Sequence, residues 1–273
     1  MGTHLAVLRP ARSGVGLTAA ACLVVTGCST GNSGSPGGSG TPSGSTSSSS
    51  KSASTGSGNS GGSTSVVSSN SVPFPITVGN TWTYTDTSTI AGGTSVDKIA
   101  AVTPVSGGQQ VLMDSTITTA GTTTHGSGYF IFHPDGSITY PFSQFNSRTS
   151  QAKVTLLSGN VIWPPASQLE SGQVSHNIVK IEIAIAGHTA DVTSHITVKD
   201  GGTQSVTVPA GTYNATVVVM TESETVAGIP LTSRVTTWLA TGVGPVKTEV
   251  TVSEGNSPGT VAAENVLTSF MRG

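Results

Sequence analysis

Few residues in this 273-residue chain combine the chemistry and the spacing needed to bind or react. His188, Asp191 and His195 lie close enough in sequence to converge as metal ligands across a tight β-turn, imidazole and carboxylate both being zinc donors. The separation of the two histidines does not fix a turn register, and surface histidines account for them more simply. Glu222 and Glu224 would share one face of a strand. Such a pair could serve a calcium site or acid–base work, and it also suits a solvated face, which is its commoner setting. His125 and His133 bracket Tyr129 to Phe132 with no Asp or Ser at motif spacing, and they read as structural. Gly126-Ser127-Gly128 lacks the outer glycines of a nucleophile elbow. There is no His-Glu-x-x-His, no paired Cys for zinc and no Gly-rich phosphate loop opening a helix. The expectation is no catalytic residue, no metal, no cofactor and no enzyme.

Cys28 carries a specific signal through its neighbours. Arg9 and Arg12 precede an apolar run from Val15 to Val25 broken only by small residues, and Val25-Thr26-Gly27-Cys28 follows. A positive region, a short apolar stretch and small residues before a cleavage point describe a secretory signal peptide, here residues 1–27. The run is about half of the roughly 20 apolar residues that a membrane-spanning helix needs. Cys22, inside it, reads as a small apolar residue. Val-Thr-Gly-Cys resembles the bacterial lipobox. That resemblance implies a Cys28 carrying palmitate-like acyl chains as the first residue of the mature protein, on the extracytoplasmic face of the cell membrane. Two or more chains hold a protein stably where one does not. Plain secretion with cleavage nearby stays open.

Residues 28–71 read as a lipidated Cys and a disordered tether. Ser29 to Ser71 holds one charge, Lys51, and no aromatic residue, so it cannot bury enough apolar surface to offset its ordering entropy. A Gly/Ser-rich chain of this length reaches roughly 35–40 Å, enough to lift a folded domain off the lipid headgroups. The remainder, 72–273, is long enough for one well-buried core. It carries eight Lys and Arg against 13 Asp and Glu with no basic stripe, which makes nucleic acid an unsuitable partner. It holds no Cys, so disulfides play no part in its stability.

Hydrophobic alternation makes 72–273 almost all strand. Val179, Ile181, Ile183 and Ile185 fall on one face with Lys180 and Glu182 opposite, and Val246, Val250 and Val252 repeat the pattern. Trp82 and Tyr84 share a face against Thr81, Thr83 and Thr85. Ala215 to Met220 and Gly128 to Phe132 are near-continuously apolar, as in strands covered on both sides. Turn signals fall at Gly92-Gly93, Gly107-Gly108, Pro134-Asp135-Gly136, Asp200-Gly201-Gly202, Ala210-Gly211 and Glu254-Gly255-Asn256. The one helix worth naming lies around Ser167 to Glu170; a weaker stretch from Val261 to Phe270 also reads as a final strand. The expected fold is all-β, a single curved antiparallel sheet forming a half-barrel, open barrel or sandwich.

Pro73-Phe74-Pro75-Ile76-Thr77-Val78-Gly79-Asn80-Thr81-Trp82-Thr83-Tyr84 resembles the P-x-x-x-G-x-x-W-x-Y opening of a family of uncharacterised bacterial envelope lipoproteins. Val206 to Tyr213 resembles their V-P-A-G-T-[FY] turn, and Thr237 to Lys247 their W-Y-A-x-G-V-G-x-V-K strand pair. Leu239 stands where an aromatic is usual. The resemblance implies a curved antiparallel sheet with no assigned catalytic residues. Trp82, Tyr84, Phe130, Phe132, Trp163 and Trp238 could line a ligand platform, although aromatics on strand faces are usually core. Three functions follow, in descending order: a non-enzymatic module engaging an envelope protein or wall polymer, a carrier enclosing an apolar ligand such as a lipid, and a hydrolase with an unrecognised site.

Overall fold

The computed structural model describes residues 6–8, 23–25, 74–88, 92–141, 147–148, 152–185, 188–226, 228–255 and 257–273. Cys28, the 28–71 segment and most of the 1–27 leader lie outside them. No helix among the described residues is long and apolar enough to cross a membrane.

Ala6–Leu8 (β1) and Leu23–Val25 (β2) pair with each other. Every later strand joins one antiparallel sheet of 14 strands. One arm is built from Thr81–Ser88 (β3), Gly93–Val105 (β4), Gly108–Thr119 (β5), Thr122–Phe132 (β6) and Ile138–Tyr140 (β7), with Val161–Trp163 (β10) at its edge. The other runs from Ser147–Arg148 (β8) and Ala152–Ser158 (β9) through Ser175–Ile185 (β11), His188–Val208 (β12), Gly211–Val226 (β13), Ile229–Ala240 (β14) and Gly244–Glu254 (β15) to Thr260–Met271 (β16). The arms meet where β16 pairs with β3, Phe270 lying opposite Trp82 and Leu267 opposite Tyr84.

The expected alternation sets the faces. Trp82 and Tyr84 on β3, Val179, Ile181 and Ile183 on β11, and Val246 and Val250 on β15 all turn into one core on the concave side. β13 is buried on both faces, with Val218 and Met220 in the core and Val217 and Val219 on the convex side. Asp200-Gly201-Gly202, expected as a turn, is instead a bulge within the unbroken strand β12, where the register slips between Asp200 and Thr203. Asp200 Oδ1 accepts from the Gly202 amide at 3.0 Å, and Gly201 lies so close to Val217 that a Cβ would approach its Cγ1 to 2.9 Å. The bulge thus covers the outer face of β13.

The sheet curls back on itself without closing. Its edge strand β10 meets β11, far across the strand order, through the side chain of Asn177. Asn177 Oδ1 accepts from the Ile162 amide at 3.1 Å, and its Nδ2 donates to the Ile162 carbonyl at 3.3 Å. One amide side chain stands in for the missing ladder. The helical signal near Ser167 resolves as Ala166–Glu170 (α1), while Val261 to Phe270 lies within strand β16.

Candidate functional site

The segment Phe74 to Gly79 tucks under β3 and closes one end of the curl. Asn80 secures it, donating from Nδ2 to the Pro75 carbonyl at 3.1 Å. Phe74 stacks on Trp82 with ring centroids 5.1 Å apart and meets Phe130 edge-on at 5.5 Å. Trp82 also stacks on Phe270, at 5.3 Å. The polar ends of this cluster are satisfied by the reversal between β14 and β15. Trp82 Nε1 donates to the Val243 carbonyl and Tyr84 Oη to the Pro245 carbonyl, at 2.6 and 3.0 Å. The Ala210 amide of the preceding hairpin donates to the Leu267 carbonyl at 3.0 Å.

Beside this cluster lies a cavity of about 150 Å³. Its walls include Phe132 of β6, Tyr140 of β7, Trp163 of β10, Leu169 of α1, Val218 of β13 and Leu239 of β14. Pro164-Pro165 leads into α1, where the second proline's fixed φ suits a helix start. Gly172, at φ +77°, ends the helix: its amide donates to Leu169 and the Gln173 amide to Gln168, the paired bonds of a Schellman stop. Leu169, on this single turn, is 4% exposed and faces the cavity. The wall is not wholly apolar. Thr237 lines it while 1% exposed, and its Oγ1 has no hydrogen-bond partner.

The six aromatic residues read as a possible platform separate into three settings. Phe132 and Trp163 line the cavity. Trp82, Tyr84 and Phe130 are core packing behind it. Trp238 sits on the convex face, with Lys247 Nζ 5.0 Å from its ring centroid and its Nε1 donating to Gln204 Oε1 at 3.0 Å. Tyr140 and Leu169 were not singled out by the sequence, and Leu239 only as a departure from the family's aromatic, because each looks like ordinary core until the curl is known.

Asp191 and His195 are both exposed on β12, and the strand runs straight from His188 onward, so the turn that would have gathered the three is absent. Among the described residues no group of three or more His, Cys, Asp or Glu could hold a metal. His133 bridges the Gly107 carbonyl and Thr139 Oγ1, both at 2.8 Å, and His125 Nδ1 lies 3.1 Å from Thr116 Oγ1. Gly126-Ser127-Gly128 lies inside β6.

Glu222 and Glu224 are not on a solvated face. They are 2% and 8% exposed, on the concave side of β13 toward its far end from the cavity. The face follows from Val218 and Met220, which precede them at the same strand phase and belong to the core. Ser194 Oγ donates to Glu224 Oε2 at 2.8 Å, whereas both carboxyl oxygens of Glu222 lack a partner. Burial, with Glu224 alongside, pushes Glu222 up to about 8, and burial raises Glu224 as well, in both cases against the lowering effect of the nearby Ser194 hydroxyl. In the other arm Ser115 Oγ donates to Asp97 Oδ1 at 2.7 Å, and burial lifts Asp97 to about 6.

Two solved structures are similar to this chain. One, of a candidate lipoprotein from Parabacteroides distasonis ATCC 8503, is 18% identical with a TM-score of 0.53, covering 73% of this chain and 98% of that one. Another, of a candidate exported protein with a YmcC-like fold from Bacteroides fragilis NCTC 9343, is 16% identical with a TM-score of 0.49 over the same shares. At 18% identity the likeness to the first is one of fold. No curated protein sequence matches the chain. A family model described as DUF3108-like matches residues 78–260, from the approach to β3 to the first residue of β16, and the chain therefore belongs to the DUF3108-like family.

Proposed function

We propose that this protein is a non-enzymatic envelope module, held at the extracytoplasmic face of the membrane by acyl chains on Cys28, which takes one apolar group into the cavity beneath α1. The observation that carries this reading is the cavity itself, about 150 Å³ walled chiefly by aromatic and aliphatic side chains. A space of that size in an apolar setting admits a guest about as large as benzene. Pockets that enclose a whole drug-sized ligand are larger, roughly 300–1,000 Å³. The guest is therefore the end of an acyl chain or one apolar side chain of an envelope partner. A whole lipid would require the curl to widen.

The lining supports binding over catalysis. Its titratable groups among the described residues are Tyr140, whose hydroxyl burial holds above its ordinary value, and Glu170, exposed at the end of α1. A lipobox-like Cys28, a Ser/Gly-rich run of some 40 residues behind it, and a neighbour in fold described as a candidate lipoprotein support placement in the envelope.

The test is methyl NMR of the unacylated chain from Ser29 to Gly273, titrated with a short fatty acid and with an apolar peptide. Expected are shifts confined to the Leu169, Val218 and Leu239 methyls, lost in Leu239→Trp. Shifts that spare these methyls for both probes would overturn the reading. In cells, Cys28→Ala should remove the protein from the membrane fraction or leave it uncleaved. A cleaved Ala variant that stays membrane-bound would end the lipid-anchor assignment.

A further inference from the structure

At the far end of the concave face from the cavity, three adjacent strands place four oxygen-bearing side chains together. Glu222 of β13 lies directly opposite Ser233 of β14 and Ile196 of β12. Glu224 lies directly opposite Leu231 of β14, and its carboxyl meets Ser194 of β12 at 2.8 Å. The polar members form a diagonal band, Ser194–Glu224–Glu222–Ser233, between apolar neighbours Ile196 and Leu231. Residues directly opposite in an antiparallel sheet have Cβ atoms about 4.5–5.5 Å apart, and carboxylates two apart on a strand rise about 6.6 Å. The two carboxyls can therefore reach one point, with Ser194 beside Glu224 at one side of it and Ser233 beside Glu222 at the other.

Half of this band makes no hydrogen bond of its own, because the Ser194 hydroxyl, which also lies beside Glu222, is given to Glu224. Glu222 is 2% exposed with both carboxyl oxygens unpartnered, and Ser233 is 5% exposed with Oγ unpartnered. Buried polar atoms in folded proteins are satisfied with few exceptions, and a carboxyl left so is among the costlier ones. Two independent orphans facing each other across a strand pair mark a place built for something that supplies charge or hydrogen bonds. Every donor atom there is oxygen: two carboxyls and two hydroxyls, with no imidazole or thiol. His195 and Arg234, on the flanking strands, occupy the opposite strand phase and are exposed.

We propose that Glu222 and Glu224, flanked by the hydroxyls of Ser194 and Ser233, form a binding site for a hard divalent cation, of which Ca²⁺ fits best. Oxygen-only donor sets select Ca²⁺ and Mg²⁺ over transition metals. Ca²⁺ accepts irregular geometry with carboxylates and water, whereas Mg²⁺ demands a near-ideal octahedron that two carboxyls fixed on a pleated surface do not offer. Glu224, the more exposed carboxyl, lies at the rim and is the first to meet the ion. Glu222, one step deeper, completes the charge neutralisation. Water completes the coordination shell.

The experiment uses the unacylated chain from Ser29 to Gly273, stripped with chelator and titrated with CaCl₂ and, separately, MgCl₂. Calorimetry and thermal unfolding are both read. The expected result is one Ca²⁺ per chain, with a dissociation constant on the order of 10⁻⁴–10⁻³ M as in extracellular modules, a raised Tm, and at least tenfold weaker Mg²⁺ binding. Glu222→Gln preserves the shape of the deeper carboxyl and removes its charge. It should weaken Ca²⁺ binding at least tenfold while leaving the chelator-treated Tm at or above that of wild type, and Ser233→Ala should weaken it less. No heat and no Tm shift with either ion at about 10 mM, well above that range, would overturn the proposal. So would Ca²⁺ binding that Glu222→Gln leaves unchanged.

Discussion

The indole of Trp82 on β3 donates a 2.6 Å hydrogen bond to the backbone carbonyl of Val243, in the reversal between β14 and β15. The two are 161 residues apart in sequence. The bond joins the segment around the Gly79-x-x-Trp82-x-Tyr84 pattern to the Gly242-Val243-Gly244 turn, so these two stretches of sequence describe one contact. Gly244 makes the approach possible. It sits at φ +97°, and a Cβ there would come within 3.0 Å of Phe74 and 3.5 Å of Trp82 Nε1. Gly244→Ala should therefore destabilise the domain by about 1–3 kcal/mol. Trp82→Phe, which orphans the carbonyl and leaves a gap beside Phe74, should cost as much or more. Chemical denaturation of both variants checks this, and a Gly244→Ala midpoint equal to that of wild type contradicts it.

Asn177 offers a more local test. It is the bridge that holds the edge strand β10 against β11, so Asn177→Leu should cost about 1–3 kcal/mol by leaving the Ile162 amide and carbonyl without partners. Amide hydrogen exchange at Ile162 and Trp163 should quicken in the variant while β13 and β14 stay protected. Uniform loss of protection would instead make the bridge a part of global stability.

Thr237→Val should stabilise the empty protein by about 1 kcal/mol, because a buried hydroxyl without a partner is replaced by a methyl of the same shape. The comparison is of thermal midpoints. A lower midpoint for Val would mean that the hydroxyl is bonded in solution, to water or to a guest in the cavity.

The buried carboxyls give the fold a definite response to pH. Asp97 titrates at about 6 against an ordinary 3.8, and Glu222 at about 8 against 4.5, burial being the leading cause of both. An acid with a raised folded-state pKa contributes stability that is complete below its unfolded value and lost as the pH climbs through its folded value. In chelator the Tm should thus decline from about pH 4, where Asp97 begins to ionise in the unfolded chain, to about pH 8 and level off above. Glu222→Gln should remove the upper part of that decline, from about 6 to about 8, and leave the part belonging to Asp97. A wild-type Tm that holds steady over this interval would show the two groups to be ionised in the folded protein.

Most of the sheet was legible because a strand declares itself through nearest-neighbour alternation. Val179-Lys180-Ile181-Glu182-Ile183 names both its conformation and its inward face, and the structure follows it. Asp200-Gly201-Gly202 misled because a bulge and a turn demand the same residues, and only the strands on either side tell them apart. Glu222 and Glu224 were open to a solvated reading because their charge argues for water. Their strand phase, shared with Val218 and Met220, argued for the core, and phase prevailed. Of the cavity, only Phe132 and Trp163 were legible, as aromatics that could line a ligand. Leu169, Tyr140 and Leu239 come from three distant stretches that meet only because the sheet curls, and the side chain that ties its edge strand β10 to β11 is an asparagine whose sequence neighbourhood carries no signal.

The pairing of β16 with β3 has a kinetic meaning. Most ladders join strands adjacent in the chain, so each arm can grow by adding one hairpin to the last. The junction of the arms instead brings together Tyr84 and Leu267, separated by some 180 residues. Closing a loop of that length costs about 4–5 kcal/mol of chain entropy. Local zippering recovers none of it until Trp82, Phe270 and Phe74 have stacked. The aromatic cluster at that junction is thus where the two meanders become one domain, and it offsets the largest loop-closure cost in this otherwise local topology.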